Sequence, residues 1–91
     1  MNLSNHVTVP AQVMARTVGN ETVILDLASG TYYGLDPVGA RMWQLMTEGQ
    51  TLAQLCTQML DEYEVSQEDI ERDVLALVQT LLDKQLVSLG A

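Results

Sequence analysis

The chain has no phenylalanine, one cysteine, one histidine, two prolines and only four basic residues among 91. Each scarcity excludes something. A lone Cys56 rules out an intramolecular disulfide. His6 has no second His and no Cys near it, so a metal site of imidazole and thiolate has no support. Asp61-Glu62-Tyr63-Glu64 lacks the alternating spacing and central glycine of a calcium loop. With Trp43, Tyr32, Tyr33 and Tyr63 as the only aromatics, the core must be built from Leu, Val and Met. No run approaches the roughly 20 apolar residues that span a bilayer, and the N-terminus lacks the basic start and apolar stretch of an export signal. The expectation is a cytoplasmic protein that does not engage a membrane.

Positive charge is the most consequential shortage. Twelve acids against four bases give a net charge of −8, which repels phosphates of nucleic acids and anionic lipids alike. Neutral or basic peptides and proteins remain as partners. Seven of the acids lie between Asp61 and Asp73 with Arg72 as the only base among them, the pattern of a solvated loop and helix start. Cys56 sits between Leu52 and Met59 on an apolar helix face with no base beside it, which reads as a structural thiol and not a nucleophile. Gly30, Gly34 and Gly39 match no phosphate-cradling pattern. No catalytic group, metal or cofactor is expected; binding is the more natural function.

What is present is an apolar fraction of 47%, enough for one core in one domain over residues 1–91, with residues 1–11 as an N-terminal arm. The most informative stretch is ETVILDLASGTYYGLDPVGARMWQLM, residues 21–46. Val13–Val18 and Thr22–Leu27 flank Gly19-Asn20, a pair suited to the positive φ angles of a tight hairpin. In the second run Val23, Leu25 and Leu27 share one face, and Thr22, Ile24 and Asp26 the other. Ala28-Ser29-Gly30 makes the next turn, and Thr31–Leu35 a short third strand at the end of an antiparallel meander. His6–Val9 alternates as well and is a candidate further strand, ended by Pro10.

Three helices follow. Asp36 caps the first, Pro37 suits its first position, and Val38, Met42, Leu45 and Met46 share a side with Trp43 next to them. Thr51 with Gln54 makes a capping-box pattern for the second, whose Leu52, Leu55, Cys56, Met59, Leu60 and Tyr63 keep the rhythm of a buried face. Ser66 starts the third, with Glu68 and Asp69 favourably placed at its N-terminus. Its Ile70, Val74, Leu75, Leu77, Val78, Leu81 and Leu82 sweep roughly 160°, wider than one buried stripe needs. Leu86-Val87-Ser88-Leu89 is a short apolar tail suited to packing back. The fold class is α+β: a three-stranded antiparallel sheet packed on three helices, like a winged helix-turn-helix. DNA binding is disfavoured because the third helix would offer Glu68, Asp69, Glu71 and Asp73 against Arg72 alone.

In order and spacing, LDLASGTYYGLDPVGARMWQLM, the capped helix ending in Asp61-Glu62-Tyr63, Asp73-Val74 and the closing LLDKQLV resemble the PqqD-like proteins, and within them the stand-alone precursor-recognition proteins of bacterial lasso-peptide biosynthesis. The resemblance implies a RiPP recognition element, which binds the leader segment of a ribosomally made precursor peptide. The leader adds as a strand to the third strand, in a cleft with the third helix, and is presented to a leader peptidase and an asparagine-synthetase-like cyclase. Carried over by position, the peptide-binding residues are Thr31, Tyr32, Tyr33, Gly34 and Leu35 on the strand and Asp73, Val74, Leu77, Val78 and Leu81 on the helix. Tyr32 and Tyr33 point to opposite faces, so one lines a pocket and the other meets core or solvent. The alternative is an acidic winged-helix adaptor or transcription-related module that acts through protein contacts.

Overall fold

A computed structural model describes residues 1–90. In chain order the elements are β1 (His6–Thr8), β2 (Val13–Val18), β3 (Glu21–Asp26), β4 (Tyr32–Leu35), α1 (Pro37–Thr47), α2 (Leu52–Glu62), α3 (Gln67–Asp83) and β5 (Ser88–Gly90). The meander is as expected, with β3 in the middle of an antiparallel β2-β3-β4 sheet. The turn between β2 and β3 differs in detail. Only Gly19 takes a positive φ, at 65°, the sign pattern of a type II′ turn, which wants glycine in the first central position and tolerates Asn20 in the second. Between β3 and β4 the Asp26 carboxylate accepts the Ala28 N–H at 2.9 Å, and Gly30 at φ 76° donates back to the Asp26 carbonyl. Thr31 belongs to this turn, and the strand begins at Tyr32.

The arm does form a strand, but β1 pairs antiparallel with β5 and not with the meander, His6 opposite Gly90 and Thr8 opposite Ser88. This clasp ties the two ends of the described chain together. It also explains the apolar tail: Leu86 and Val87 are buried as they lead into β5.

Each helix starts as its capping residues dictate. Asp36 Oδ1 accepts the Gly39 N–H at 2.7 Å, and Thr51 and Gln54 exchange both bonds of a capping box. Ser66 Oγ accepts the Asp69 N–H at 3.1 Å. Helix α3 ends in a Schellman arrangement, with Leu86 N–H bonded to Leu81 O and Gln85 N–H to Leu82 O. Gln85 holds the left-handed position at φ 59° that glycine usually occupies.

The core joins Ile24 and Leu35 of the sheet to Met42, Trp43, Leu45 and Met46 of α1, to Leu52, Leu55, Cys56 and Met59 of α2, and to Ile70, Val74, Val78 and Leu81 of α3. Arg41 of α1 adds a two-bond contact to Glu62 of α2, Nε to Oε1 at 2.7 Å and Nη2 to Oε2 at 2.6 Å. The broad apolar arc of α3 is thus divided. Its centre is core, Leu75 and Leu82 lie half-buried on one flank, and Leu77 lies half-buried on the other.

Candidate functional site

β4 is an edge strand: no described strand lies beyond it. The direction of its backbone groups follows from one hydrogen bond. Asp26 N–H donates to Thr31 O at 2.8 Å, which extends the β3–β4 register of Ile24 opposite Tyr33 and Thr22 opposite Leu35. Bonded and non-bonded pairs alternate in an antiparallel ladder. Tyr33 and Leu35 therefore bond to β3, and the N–H and C=O of Tyr32 and Gly34 point out of the sheet. The other edge obeys the same rule. Leu27 N–H donates to Gln12 O at 2.9 Å, so in β2 the outward groups are those of Ala15 and Thr17.

Side chains alternate in step with the backbone. Tyr33 and Leu35 lie on the helix side of the sheet with Ile24, and Tyr32 lies on the opposite side, largely exposed. The question of which tyrosine faces the cleft has a definite answer: Tyr33 lines it and Tyr32 does not. The cleft, about 410 Å³, runs between the end of β4, the first turns of α1 and the flank of α3. Tyr33, Gly34 and Leu35 supply one wall, and Asp73 and Leu77 of α3 the other. Lys84, about two turns beyond Leu77 at the C-cap of α3, places Nζ 5.4 Å from the Tyr33 ring centroid, a cation–π contact that holds the ring against the helix.

Three residues expected at the site are elsewhere. Val74, Val78 and Leu81 have no exposed surface. They project from the centre of the α3 arc into the core, and only the flank at Asp73 and Leu77 reaches the cleft, because residues 73, 77, 80 and 84 follow one another along the helix surface at three- and four-residue steps. Thr31, in the turn, has its carbonyl already engaged by Asp26. In exchange, α1 contributes Asp36, Val38, Gly39 and Met42. Val38 and Met42 had the spacing of core residues, yet Val38 is exposed at the cleft. The signal for it was the absence of any linker: α1 begins two residues after β4 ends, so its first turn must flank that strand.

The electrostatics of the cleft are acidic. Asp36 and Asp73 border it, and Asp73 has Arg72 Nε at 3.5 Å in an exposed pair. Nothing in this arrangement resembles acid–base machinery. Cys56, the candidate thiol, is buried on α2 with its pKa raised, first by burial and then by the charge of Glu71, so it disfavours the thiolate. Among the described residues no group of three His, Cys, Asp or Glu side chains is placed to hold a metal ion, and no helix is long and apolar enough to cross a membrane. The arrangement can accept an extended chain: outward backbone groups on an edge strand, with an apolar and acidic cleft beside them.

Comparison with known proteins identifies the fold and the family. A family model described as coenzyme PQQ synthesis protein D (PqqD) matches residues 21–87. Among solved structures, TbiB1 in complex with the TbiA(beta) leader peptide is 33% identical, with a TM-score of 0.85 over 89% of this chain and 94% of that one. A lasso peptide synthetase B1 complexed with the leader peptide is 28% identical, with a TM-score of 0.84 over 91% of this chain and 98% of that one. No curated protein matches the sequence.

Proposed function

This chain belongs to the PqqD family, and we propose that it is a RiPP recognition element of lasso-peptide biosynthesis whose described residues act as one leader-binding domain. The leader segment of a ribosomally made precursor adds as an extra strand along β4, using the outward N–H and C=O groups of Tyr32 and Gly34. Its alternate side chains enter the cleft bounded by Tyr33, Leu35, Val38, Met42 and Leu77. Asp36 and Asp73 favour a basic or hydroxyl group on the leader. The protein presents the bound precursor and leaves the chemistry to separate enzymes, a leader peptidase and an asparagine-synthetase-like cyclase.

The observation that carries this reading is the coincidence on one short strand of two free backbone positions and an adjoining cleft. The similarity to two leader-bound relatives supports it. The alternative of an adaptor or transcription-related module has no comparable feature in its favour. Amide hydrogen exchange with and without a synthetic leader peptide tests the proposal. New protection is expected at Tyr32 and Gly34, with little change at Tyr33 and Leu35, whose N–H groups are already bonded. Protection that spares β4 would sink it.

A further inference from the structure

Opposite charges stand at the two ends of the leader cleft, and their order follows from the fold. Lys84 Nζ lies 5.4 Å from the Tyr33 ring centroid, so the C-cap of α3 sits over the start of β4. Asp73 comes about three turns, or about 16 Å, earlier on the same flank of the helix. It therefore borders the other end of the cleft, with Leu35, Asp36 and the first turn of α1. Strand and helix run in opposite directions, and the cleft between them is acidic where β4 ends and basic where it begins. Leu77 lies between the two charges.

Lys84 is unlike the other three basic residues. Arg41 pairs with Glu62, and Arg72 with Asp69 and Asp73, while Arg16 stands on β2, at the far edge of the sheet. Among the described residues Lys84 pairs with no carboxylate; its neighbour Asp83 instead accepts Gln79 Nε2 at 2.8 Å. The last carbonyls of α3 are already bonded, Thr80 O to the Lys84 N–H, Leu81 O to that of Leu86 and Leu82 O to that of Gln85. The Lys84 side chain is exposed and rests on a ring that lines the cleft. A chain of net charge −8 repels an acidic ligand side chain over most of its surface. Among the described residues Lys84 is the cation beside β4 that can receive one.

Backbone pairing sets the spacing. The rest of the sheet is antiparallel, and antiparallel pairing is slightly the stronger kind. A leader strand added to β4 in that sense begins beside Leu35 and leaves beside Tyr32. Its alternate side chains face the cleft, and at about 3.4 Å per residue two of them four residues apart are separated by about 14 Å. Long charged side chains at those positions reach both ends. Resting on the reading that the leader pairs with β4, we propose that the leader carries a basic side chain at the Asp36 and Asp73 end and an acidic one four residues later, and that Lys84 is the residue that reads the acid. An apolar leader residue midway between them meets Leu77. Laid in the other direction, the same peptide would set its acid against Asp36 and Asp73 and its base against Lys84. The charges thus also fix the direction of the strand, which backbone bonds alone separate only weakly.

The test uses a synthetic leader peptide of the precursor from the same biosynthetic system, with each of its acidic residues replaced singly by the corresponding amide or by lysine. Affinities are measured by isothermal titration against wild type, Lys84→Met, Lys84→Arg and Lys84→Glu, with thermal melting for the fold and amide hydrogen exchange for the pairing edge. One leader acid, four residues after a Lys or Arg, should prove sensitive: its amide should weaken wild-type binding about three- to fivefold, the modest size of an exposed pair. Lys84→Met, which keeps the alkyl stem over the ring, should show that loss with the unaltered leader and no further loss with the amide. Lys84→Arg should bind as wild type does, and Lys84→Glu should recover affinity when the leader acid is exchanged for lysine. A leader with no acid at that spacing overturns the proposal. So does an amide effect of the same size in wild type and Lys84→Met, which would leave Lys84 as a prop for the Tyr33 ring. Either failure leaves the β4 reading standing where Tyr32 and Gly34 gain exchange protection; without that protection the β4 reading itself has failed, and the proposal falls with it.

Discussion

Replacing Gly34 with proline isolates the backbone contribution to leader binding. Proline removes one N–H, and at Gly34 that N–H points away from β3, so the sheet ladder keeps its bonds at Tyr33 and Leu35. The fold should tolerate the ring. A Cβ built at Gly34 meets no atom within 4 Å, proline is accepted on edge strands whose N–H faces solvent, and its restricted φ reduces the freedom of the unfolded chain. Binding should not tolerate it. Strand addition would lose the Gly34 N–H bond, and the ring would stand where the leader carbonyl must approach, which disturbs at least one neighbouring bond. At about 0.5–1.5 kcal/mol net per hydrogen bond, two bonds amount to about 1–3 kcal/mol, a weakening of roughly 5- to 150-fold. Gly34→Ala is the control, because its methyl group projects into open space and its N–H remains. Isothermal titration with leader peptide should give near wild-type affinity for alanine and the loss for proline, at closely similar melting temperatures. If the proline variant binds leader as wild type does, β4 is not the pairing edge.

Leu77→Asp should weaken leader binding at least tenfold in the same titration, since it sets a third acid beside Asp36 and Asp73 in an otherwise apolar cleft. Asp73→Asn should weaken it only about two- to fivefold toward a leader that bears Lys or Arg, and near-molar salt should erase that difference, because exposed ion pairs contribute about 0–1 kcal/mol. Leu81→Ala should cost about 2–5 kcal/mol in denaturant unfolding, as expected for a side chain with no exposed surface. Glu62 has its carboxyl drawn down from the ordinary 4.5 to about 2, first by the Arg41 hydrogen bond and then by that of Gln58. A depressed carboxyl stabilises the fold fully above its unfolded pKa, and that stabilisation fades as pH falls from about 4.5 toward 2. Thermal melts of Glu62→Gln should accordingly show a shallower decline than wild type across that interval and a lower melting temperature at neutral pH.

The helices were legible because their signals are local. Asp36-Pro37, Thr51 with Gln54, and Ser66 with Asp69 each fix a start through side-chain bonds that span three residues. The hairpins were legible for the same reason, through Gly19 and Gly30. What could not be read was the division of the α3 arc. Periodicity assigns Val74, Leu77, Val78 and Leu81 to one broad apolar face, but the fraction that the core consumes depends on how close α1 and the sheet approach, and that is a tertiary quantity. Val74, Val78 and Leu81 went to the core, and Leu77 remained at the cleft. The same limit hid Val38, whose spacing with Met42 is that of a core pair. The faces of β3 were also ambiguous: alternation showed that Val23 and Leu25 oppose Thr22 and Asp26, and ordinary polarity would have turned Val23 and Leu25 inward. Ile24 and the turn chemistry of Asp26 went there instead.

The sheet has two open edges, and what separates them is the surface beside each. β2 is the longer, and its outward groups at Ala15 and Thr17 are as available for pairing as those of Tyr32 and Gly34. The space next to β2 mixes Ala15, Pro37, Ala40 and Trp43 with Thr17, Asn20, Thr22, Gln44 and Thr47, so its apolar groups are small apart from the indole, and Arg41 stands at its wall. Arg41 there is committed to Glu62. A chain added at β2 would gain backbone bonds and contacts to mostly small apolar groups, and backbone bonds alone do not distinguish one peptide from another. At β4 the same kind of bond comes with Tyr33, Leu35, Met42 and Leu77, whose burial under a ligand side chain contributes roughly 25 cal/mol for each Å² removed from water. On the proposed reading, selectivity for a sequence comes from these larger apolar side chains beside the shorter edge. The length of a strand sets how many bonds it can offer; the elements packed against it set which peptide can use them.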